Sequence, residues 1–114
     1  MAIGVDIEDI ERFKGKSEDF FNRVFTDLEL EYCFKYSKPE SHLAARFCAK
    51  EAVVKALTAL DIENVSYKDI EVFHNEKHCP QIRILKPIDK NIMFQLSLSH
   101  DRTKAIAFVT AQEQ

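Results

Sequence analysis

Residues 41–60 read SHLAARFCAKEAVVKALTAL and contain neither glycine nor proline. Alanine and leucine, which favour helices strongly, recur throughout the stretch. Its apolar side chains follow the three- and four-residue spacing of one helical face. The members of this apolar stripe are Leu43, Ala44, Phe47, Cys48 and Ala52. The stretch therefore predicts one long helix, from Ser41 to about Leu60, with one side to bury.

Shorter patterns precede this helix. Residues 2–8 alternate apolar and polar side chains, as a half-buried strand does. Residues 18–24 have the composition of a short helix. Residues 26–29 read TDLE, a capping-box pattern that predicts a second helix from there to about Tyr36. Pro39 then separates this helix from the long one.

After Tyr67 the apolar period changes from that of a helix to two, which is typical of strands. The predicted strands cover residues 69–74, 81–85, 92–99 and 105–111. The whole pattern predicts a single α+β domain over residues 1–114. In it, an antiparallel sheet packs on one long helix, and shorter helices lie toward the N-terminus.

Composition narrows the class of protein. The chain has 114 residues, 46% of them hydrophobic and 31% charged, with a net charge of −3. This charge argues against nucleic acid as the main partner, because phosphate binding usually needs a basic surface. No signal peptide is evident, and no apolar run reaches the roughly 20 residues of a membrane helix. We therefore expect a soluble, cytoplasmic protein with no membrane partner.

Cysteine and histidine show no metal-binding pattern. Cys33, Cys48 and Cys79 include no CxxC pair, and the simplest interpretation is three reduced thiols. The four histidines also lack the spacing of zinc ligands. A zinc site is therefore not expected.

Two acidic motifs are the candidates for a metal site. Asp6 and Glu8 lie two residues apart in the first predicted strand and would point to the same face. Glu51 lies on the long helix, one turn before Lys55. If the strand packs against the helix, the carboxylates would form a hard oxygen site suited to magnesium and a pyrophosphate. The alternatives are solvated surface carboxylates and an intrahelical Glu51–Lys55 pair, worth roughly 0.3–0.5 kcal/mol.

Two other clusters of polar residues each have more than one interpretation. Residues 97–101 read SLSHD at the end of a strand, where a turn or a phosphate contact is expected. A nucleophilic triad is disfavoured because the members of a triad are rarely consecutive. Near the N-terminus, the basic residues form either a solvated helix surface or a docking site for an acidic partner. This basic cluster consists of Arg12, Lys14, Lys16 and Arg23.

Residues 4–8, GVDIE, and residues 47–55, FCAKEAVVK, resemble the two signature motifs of the 4'-phosphopantetheinyl transferases. Their order is similar too, with the second motif about forty residues after the first. Four further segments resemble the short, holo-acyl-carrier-protein synthase type of this family. They are RF (12–13), RVFT (23–26), LAARF (43–47) and SHD (99–101). The likeness covers nearly the whole chain.

The resemblance implies an activity. Similar enzymes transfer the 4'-phosphopantetheine group of coenzyme A to a serine of an apo acyl carrier protein, releasing 3',5'-ADP in a Mg²⁺-dependent reaction. It implies that Asp6 and Glu51 bind the metal, with Glu8 as an additional ligand. It also implies that Glu51 acts as the base and that Lys55 stabilises charge. Fatty acid biosynthesis is the pathway implied, although polyketide and peptide carriers stay open.

The resemblance also assigns binding residues and an assembly. Positions that contact coenzyme A in similar enzymes are occupied by Arg46, Lys50, Lys55, Ser99 and His100. Arg12 and Arg23 match basic residues that dock the acidic helix of the carrier. Short members of the family are homotrimers with active sites between subunits. On that basis His100 of one subunit would meet Asp6 and Glu51 of the next.

The chain departs from the family pattern at two places. A Gly-Thr-Gly sequence that commonly follows the second motif is replaced by residues 58–60, TAL, so the long helix is expected to run further. A glycine usual before the hairpin proline is replaced by His78.

Two other functions stay open: a catalytically silent module that binds coenzyme A or a carrier, and an interaction module with coincidental surface charge.

Overall fold

The chain begins with a strand, continues through three helices and ends in two pairs of antiparallel strands. The computed structural model describes residues 1–114. The strands are β1 (Ala2–Asp9), β2 (Ile70–His74), β3 (Pro80–Ile84), β4 (Ile92–His100) and β5 (Lys104–Glu113). The helices are α1 (Glu18–Val24), α2 (Asp27–Cys33) and α3 (Glu40–Ala59), and short 3-10 helices cover Ile10–Phe13 and Tyr67–Asp69. The predicted α+β fold with one long helix is confirmed.

The second helix is shorter than predicted. The capping box at its start is present, with Thr26 as the N-cap residue and Glu29 as its partner. The helix ends at Cys33 rather than near Tyr36, because the amides of Lys35 and Tyr36 bond three residues back instead of four. The amide of Tyr36, for example, donates to the carbonyl of Cys33 at 3.3 Å. Such tightening of the last turn is common at helix ends.

All strand pairs are antiparallel, and they form two sheets. One sheet has the order β1–β5–β4, and β2 pairs with β3 in the other. Helix α3 packs on one face of the three-stranded sheet, where β5 presents small side chains and one valine. These buried residues of β5 are Ala105, Ala107, Val109 and Ala111.

Gly4 brings β1 directly onto the long helix. A Cβ atom added at Gly4 would overlap the backbone carbonyl of Ala52 in α3. Only a residue without a side chain fits this contact. The glycine of the first acidic motif therefore sets the distance between the strand that carries Asp6 and the helix that carries Glu51.

A buried ion pair ties the long helix to its neighbours. The Lys50 ammonium lies 2.7 Å from Glu29 Oε1, and both side chains are 0% exposed. Lys50 also donates to the backbone carbonyls of Tyr67, at 2.8 Å, and Ile70. The Glu29 carboxylate accepts the amides of Thr26 and Val72, at 2.9 and 2.8 Å. Helices α2 and α3 and the start of β2 are thereby joined.

The chain turns near both segments that lack family glycines. Helix α3 ends at Ala59 and does not run further, because Asp61 turns the chain with φ of 60°. Aspartate tolerates this left-handed conformation better than most residues. His78 also adopts a left-handed conformation, with φ of 62°. The backbone geometry that favours glycine is thus present at His78 although glycine is not.

No helix of the chain has the length and apolar character needed to cross a membrane. The cysteines Cys33, Cys48 and Cys79 are all free thiols.

Candidate active site

The first acidic motif presents two carboxylates to the long helix. Asp6 and Glu8 are partly buried on the side of β1 that faces α3, as the strand period predicts. The Lys55 ammonium reaches across from α3, 2.9 Å from the carbonyl of Val5 and 3.5 Å from Asp6 Oδ1. Asp6 Oδ2 is buried and has no hydrogen-bond partner. The strand and the helix therefore meet where the two motifs lie.

The electrostatics of this pair favour a cation. Burial is the largest influence that raises the pKa of Glu8 to about 7, and the hydrogen bond and charge of Asp6 add to it. Arg12, which forms an ion pair with Glu8, opposes this rise. Two adjacent carboxylates with an unpartnered buried oxygen suit Mg²⁺, which binds one or two protein carboxylates together with substrate phosphates.

Glu51 lies one turn before Lys55 on α3 and is held by another group. Its carboxylate accepts a hydrogen bond from the hydroxyl of Tyr67. That hydrogen bond, followed by burial, raises the pKa of Tyr67 to about 12, so the hydroxyl is protonated at neutral pH. No three His, Cys, Asp or Glu side chains are grouped to hold a metal. The three predicted metal ligands therefore do not form one preformed cluster.

The intrahelical alternative for the second motif is not found. Lys55 pairs with Asp6 of β1 and forms no ion pair with Glu51. Its side chain is 53% exposed, so the ammonium is accessible to a ligand.

His100 and Arg12 line an open cleft of about 1050 Å³ at one end of the three-stranded sheet. Neither Asp6 nor Glu51 lines this cleft. Ser99 is exposed on the opposite face of β4, paired in register with Ile106. One chain therefore does not bring Ser99 and His100 together with the carboxylates.

Arg46 lies at a second, smaller cleft of about 360 Å³. Only 3% of the residue is exposed, and its guanidinium lies 4.1 Å from the centre of the Tyr32 ring. It donates to the carbonyl of His42 at 3.2 Å and lies 3.4 Å from Nδ1 of His74. Its Nε is buried and has no hydrogen-bond partner. Lys35 and Arg83 also line this cleft, which makes it a cationic recess.

The predicted docking residues differ in their surroundings. Arg23, at the end of α1, is exposed and forms no ion pair. Arg12 pairs with Glu8, and its guanidinium lies 5.3 Å from the centre of the Phe47 ring. Arg12 therefore contacts the carboxylate site, whereas Arg23 projects freely into solvent.

Residues 2–109 match the sequence model of the 4'-phosphopantetheinyl transferase superfamily. The chain belongs to this superfamily. The family resemblance of the two acidic motifs is therefore confirmed.

Named relatives of this transferase are similar over almost their whole length. The holo-[acyl-carrier-protein] synthase of Thermodesulfovibrio yellowstonii is 41% identical over 112 residues, covering 95% of each chain. That of Halothermothrix orenii is 39% identical, covering 98% of this chain and 97% of the relative. Among solved structures, the Chronobacterium ammoniagenes ACPS–CoA complex is similar with a TM-score of 0.84 and 27% identity, covering 99% and 97% of the two chains. The holo-(acyl-carrier-protein) synthase of Bacillus anthracis in complex with CoA (3',5'-ADP) has a TM-score of 0.80 and 29% identity, covering 98% and 95%.

The assignment of Lys50 as a coenzyme A contact in this transferase requires correction. Its three ammonium protons are directed to Glu29, Tyr67 and Ile70, and the side chain is fully enclosed. An ammonium has three donors, so none is left for a phosphate. Burial lowers the pKa of Lys50, and the Glu29 charge opposes that shift. Lys50 supports the fold.

Sequence patterns missed Tyr67. It lies sixteen residues after Glu51, in a short 3-10 helix, and no motif or periodicity relates the two positions. Their contact depends on how the segment after α3 folds back along that helix.

Proposed function

We propose that this chain is a holo-[acyl-carrier-protein] synthase. It transfers the 4'-phosphopantetheine group of coenzyme A to a serine of an apo acyl carrier protein and releases 3',5'-ADP. The observation that carries the proposal is the contact between the two family motifs, where Lys55 of α3 reaches Asp6 of β1 beside Glu51. Residues 1–114 act as one transferase domain.

The reaction is a phosphoryl-type transfer. The serine oxygen of the carrier forms a bond to the β-phosphorus of coenzyme A, and the bond from that phosphorus to the bridging oxygen breaks. The bridging oxygen and its electron pair leave with 3',5'-ADP. Catalysis of such a transfer depends chiefly on positioning and on stabilising charge.

Two residues of α3 accept the proton of the carrier serine and stabilise the charge on the phosphate. Glu51 takes the proton of the serine hydroxyl, because a partly buried carboxylate next to the reaction site can serve as a general base. Lys55, whose side chain is half exposed beside Asp6, stabilises negative charge on the transferred phosphate.

Asp6, Glu8 and Glu51 are the residues that would hold Mg²⁺. The unpartnered Asp6 Oδ2 supports this assignment, because a buried carboxylate oxygen without a donor costs free energy unless a cation or proton satisfies it. Bound Mg²⁺ supplies neutralisation of charge on the pyrophosphate and the leaving group. Arg12 pairs with Glu8 and favours its ionised form, the form that would bind a cation.

Coenzyme A is bound by Arg46 and Lys55 of one chain and by Ser99 and His100 of another. Arg46 lies at a cleft that Lys35 and Arg83 also line, and these cations suit a phosphate. Since His100 lines a different cleft from Arg46 and does not reach Glu51 within one chain, the site is completed by a neighbouring subunit.

The assembly we propose is a homotrimer. The outer face of the three-stranded sheet exposes a set of apolar side chains that a second copy would cover. These residues are Ile3, Val5, Ile7, Met93, Ile106 and Phe108. Ser99 borders this face, so the interface lies next to the proposed coenzyme A site.

Arg12 and Arg23 are the proposed docking residues for the acidic surface of the carrier. Electrostatic contacts of this kind mainly raise the rate of association. The free thiols agree with a reducing, cytoplasmic location, and fatty acid biosynthesis is the pathway we propose.

Mass spectrometry tests the activity. The protein is incubated with coenzyme A, Mg²⁺ and an apo acyl carrier protein, and the carrier is expected to gain one phosphopantetheine group. Asp6→Ala and Glu51→Ala should lose transfer while keeping the far-UV circular dichroism spectrum. Glu63→Ala, which removes an exposed carboxylate between α3 and β2, is the matched control and should retain transfer.

Failure to modify any of several apo carriers would refute the transferase assignment. Binding of coenzyme A without transfer would instead identify a silent binding module. Normal turnover of both Asp6→Ala and Glu51→Ala would refute the metal assignment.

A further inference from the structure

Tyr67 contacts the proposed catalytic carboxylate from outside the two family motifs. Its hydroxyl donates to Glu51 Oε1, and no other side chain donates to that carboxylate. This leaves Oε2 of Glu51 as the oxygen available to a metal ion or to a substrate proton. The orientation of the carboxylate is therefore set by a residue that lies sixteen positions later in the chain.

The position of the hydroxyl is fixed through the backbone and the ring. The carbonyl of Tyr67 accepts from Lys50 at 2.8 Å, and Lys50 is itself held by the buried Glu29. The ring packs in a tilted arrangement on Phe47, with 5.3 Å between the centroids. Lys50 and Glu51 are consecutive in α3, so the same turn of helix holds both the backbone and the hydroxyl of Tyr67.

The segment around Tyr67 is also held by hydrogen bonds of its own residues. The carboxylate of Asp69 accepts from the amide and the hydroxyl of Ser66, at 2.9 Å each. The carbonyl of Asp69 accepts from the amide of Leu85 at 2.7 Å. These contacts hold the 3-10 helix that carries Tyr67 in place.

We propose that Tyr67 is a positioning residue, whose hydroxyl orients the Glu51 carboxylate for Mg²⁺ binding and proton transfer. The inference rests on the proposed function, in which Glu51 has both roles. Carboxylates that bind metals are commonly fixed by hydrogen bonds from a second layer of residues, and loss of such a bond reduces metal affinity or activity about 10- to 100-fold. The chemistry fits a donor that leaves one carboxylate oxygen free.

The alternative role for Tyr67 is packing alone. Its ring contacts Phe47, and a phenylalanine at position 67 would keep that contact while removing the hydroxyl. Tyr67→Phe thus separates orientation from packing. Tyr36→Phe is the matched control, because the Tyr36 hydroxyl bonds only that of Tyr32, at 3.3 Å.

The first measurement is Mg²⁺ binding in the presence of coenzyme A and without a carrier, by isothermal titration calorimetry. Tyr67→Phe is expected to weaken Mg²⁺ binding at least about 10-fold. Its melting temperature should stay close to that of the wild type, and Tyr36→Phe should bind Mg²⁺ as the wild type does. Equal Mg²⁺ affinity of Tyr67→Phe and the wild type, or no Mg²⁺ binding by the wild type, would overturn the inference.

The second measurement is turnover as a function of Mg²⁺ concentration. Tyr67→Phe is expected to need at least about 10 times more Mg²⁺ for half-maximal kcat, with an unchanged KM for the carrier. Tyr67→Leu, which also removes the ring, should show the same Mg²⁺ dependence and a lower melting temperature. A Mg²⁺ defect in Tyr67→Leu but not in Tyr67→Phe would assign the effect to packing and overturn the inference.

The outcomes separate this inference from the proposed function. Absence of transfer by the wild type overturns the function, whereas the binding comparison still decides the role of Tyr67. Transfer by the wild type with an unaltered Tyr67→Phe overturns only the positioning role.

Discussion

Replacement of Lys50 by methionine tests whether this lysine supports the fold or binds the substrate. Methionine is similar in length and apolar, so Lys50→Met removes the charge without a large change of volume. In the folded protein the ammonium is fully enclosed, 2.7 Å from Glu29. The substitution leaves a buried carboxylate without its counter-ion and removes the donor to the carbonyls of Tyr67 and Ile70.

The expected cost is large for a domain of this size. Breaking a buried ion pair by removing one partner lowers the free energy of unfolding by about 3–5 kcal/mol. The Glu29 carboxylate keeps the amides of Thr26 and Val72, which favours the lower part of this range. At about 4 °C per kcal/mol, the melting temperature should fall by roughly 12–20 °C. Changing Glu29 to glutamine in the same protein should recover part of the loss, because the unpaired charge disappears.

Far-UV circular dichroism is the suitable assay, since the chain has no tryptophan to report unfolding by fluorescence. Thermal and urea unfolding are compared at one protein concentration, because an oligomer melts in a concentration-dependent way. Lys55→Met is the matched control on the same helix. The Lys55 side chain is 53% exposed, so loss of its ammonium should change stability by less than about 1 kcal/mol but abolish transfer.

The reasoning would be refuted if Lys50→Met unfolded within 1 °C of the wild type, on the order of the scatter expected for a neutral surface change. Selective loss of coenzyme A affinity in that variant, with stability retained, would restore Lys50 as a ligand contact.

Three further predictions follow from the contacts of β1 and α1. Gly4→Ala forces β1 away from the Ala52 carbonyl, so urea unfolding should show a loss of about 3 kcal/mol; unchanged stability would contradict the close contact. Because burial and Asp6 raise the pKa of Glu8 from 4.5 to about 7, the metal-free folded state holds the extra proton, and stability should fall as pH rises through this window. Glu8→Gln should flatten that part of the stability–pH curve, and an identical curve would contradict the assignment. Arg23→Glu should raise KM for the acidic carrier several-fold at low salt, with kcat and melting temperature kept, and the effect should shrink as salt is added.

Much of the fold follows from local patterns. The apolar period of residues 41–60, the capping box at Thr26 and the alternation in residues 92–99 predict elements that the structure contains. The left-handed backbone at His78 is not predicted by its residue type, because glycine favours that conformation and the sequence has histidine there. The predicted end of α2, near Tyr36, was wrong. At a helix end, hydrogen bonds to the third and to the fourth preceding residue differ little in energy, so contacts with neighbouring residues decide between them.

The candidate site also combines features that the sequence predicts with features that only long-range packing decides. The sequence by itself determined that Asp6 and Glu8 share a strand face and that Glu51 and Lys55 share a helix face, because strand and helix periods are fixed by backbone geometry. The tertiary structure decided which lysine of α3 is a ligand candidate. Lys50 and Lys55 are five residues apart, or about 140° around a helix, so only one can face β1.

The partners of these two lysines come from distant parts of the chain. Lys50 meets Glu29 inside the core, whereas Lys55 reaches Asp6 near the surface. Periodicity shows which residues share a face but not what lies opposite, and the same limit hid Tyr67 from the sequence. Local geometry thus determined the acidic motifs, and long-range packing decided which of their neighbours support the fold and which serve the site.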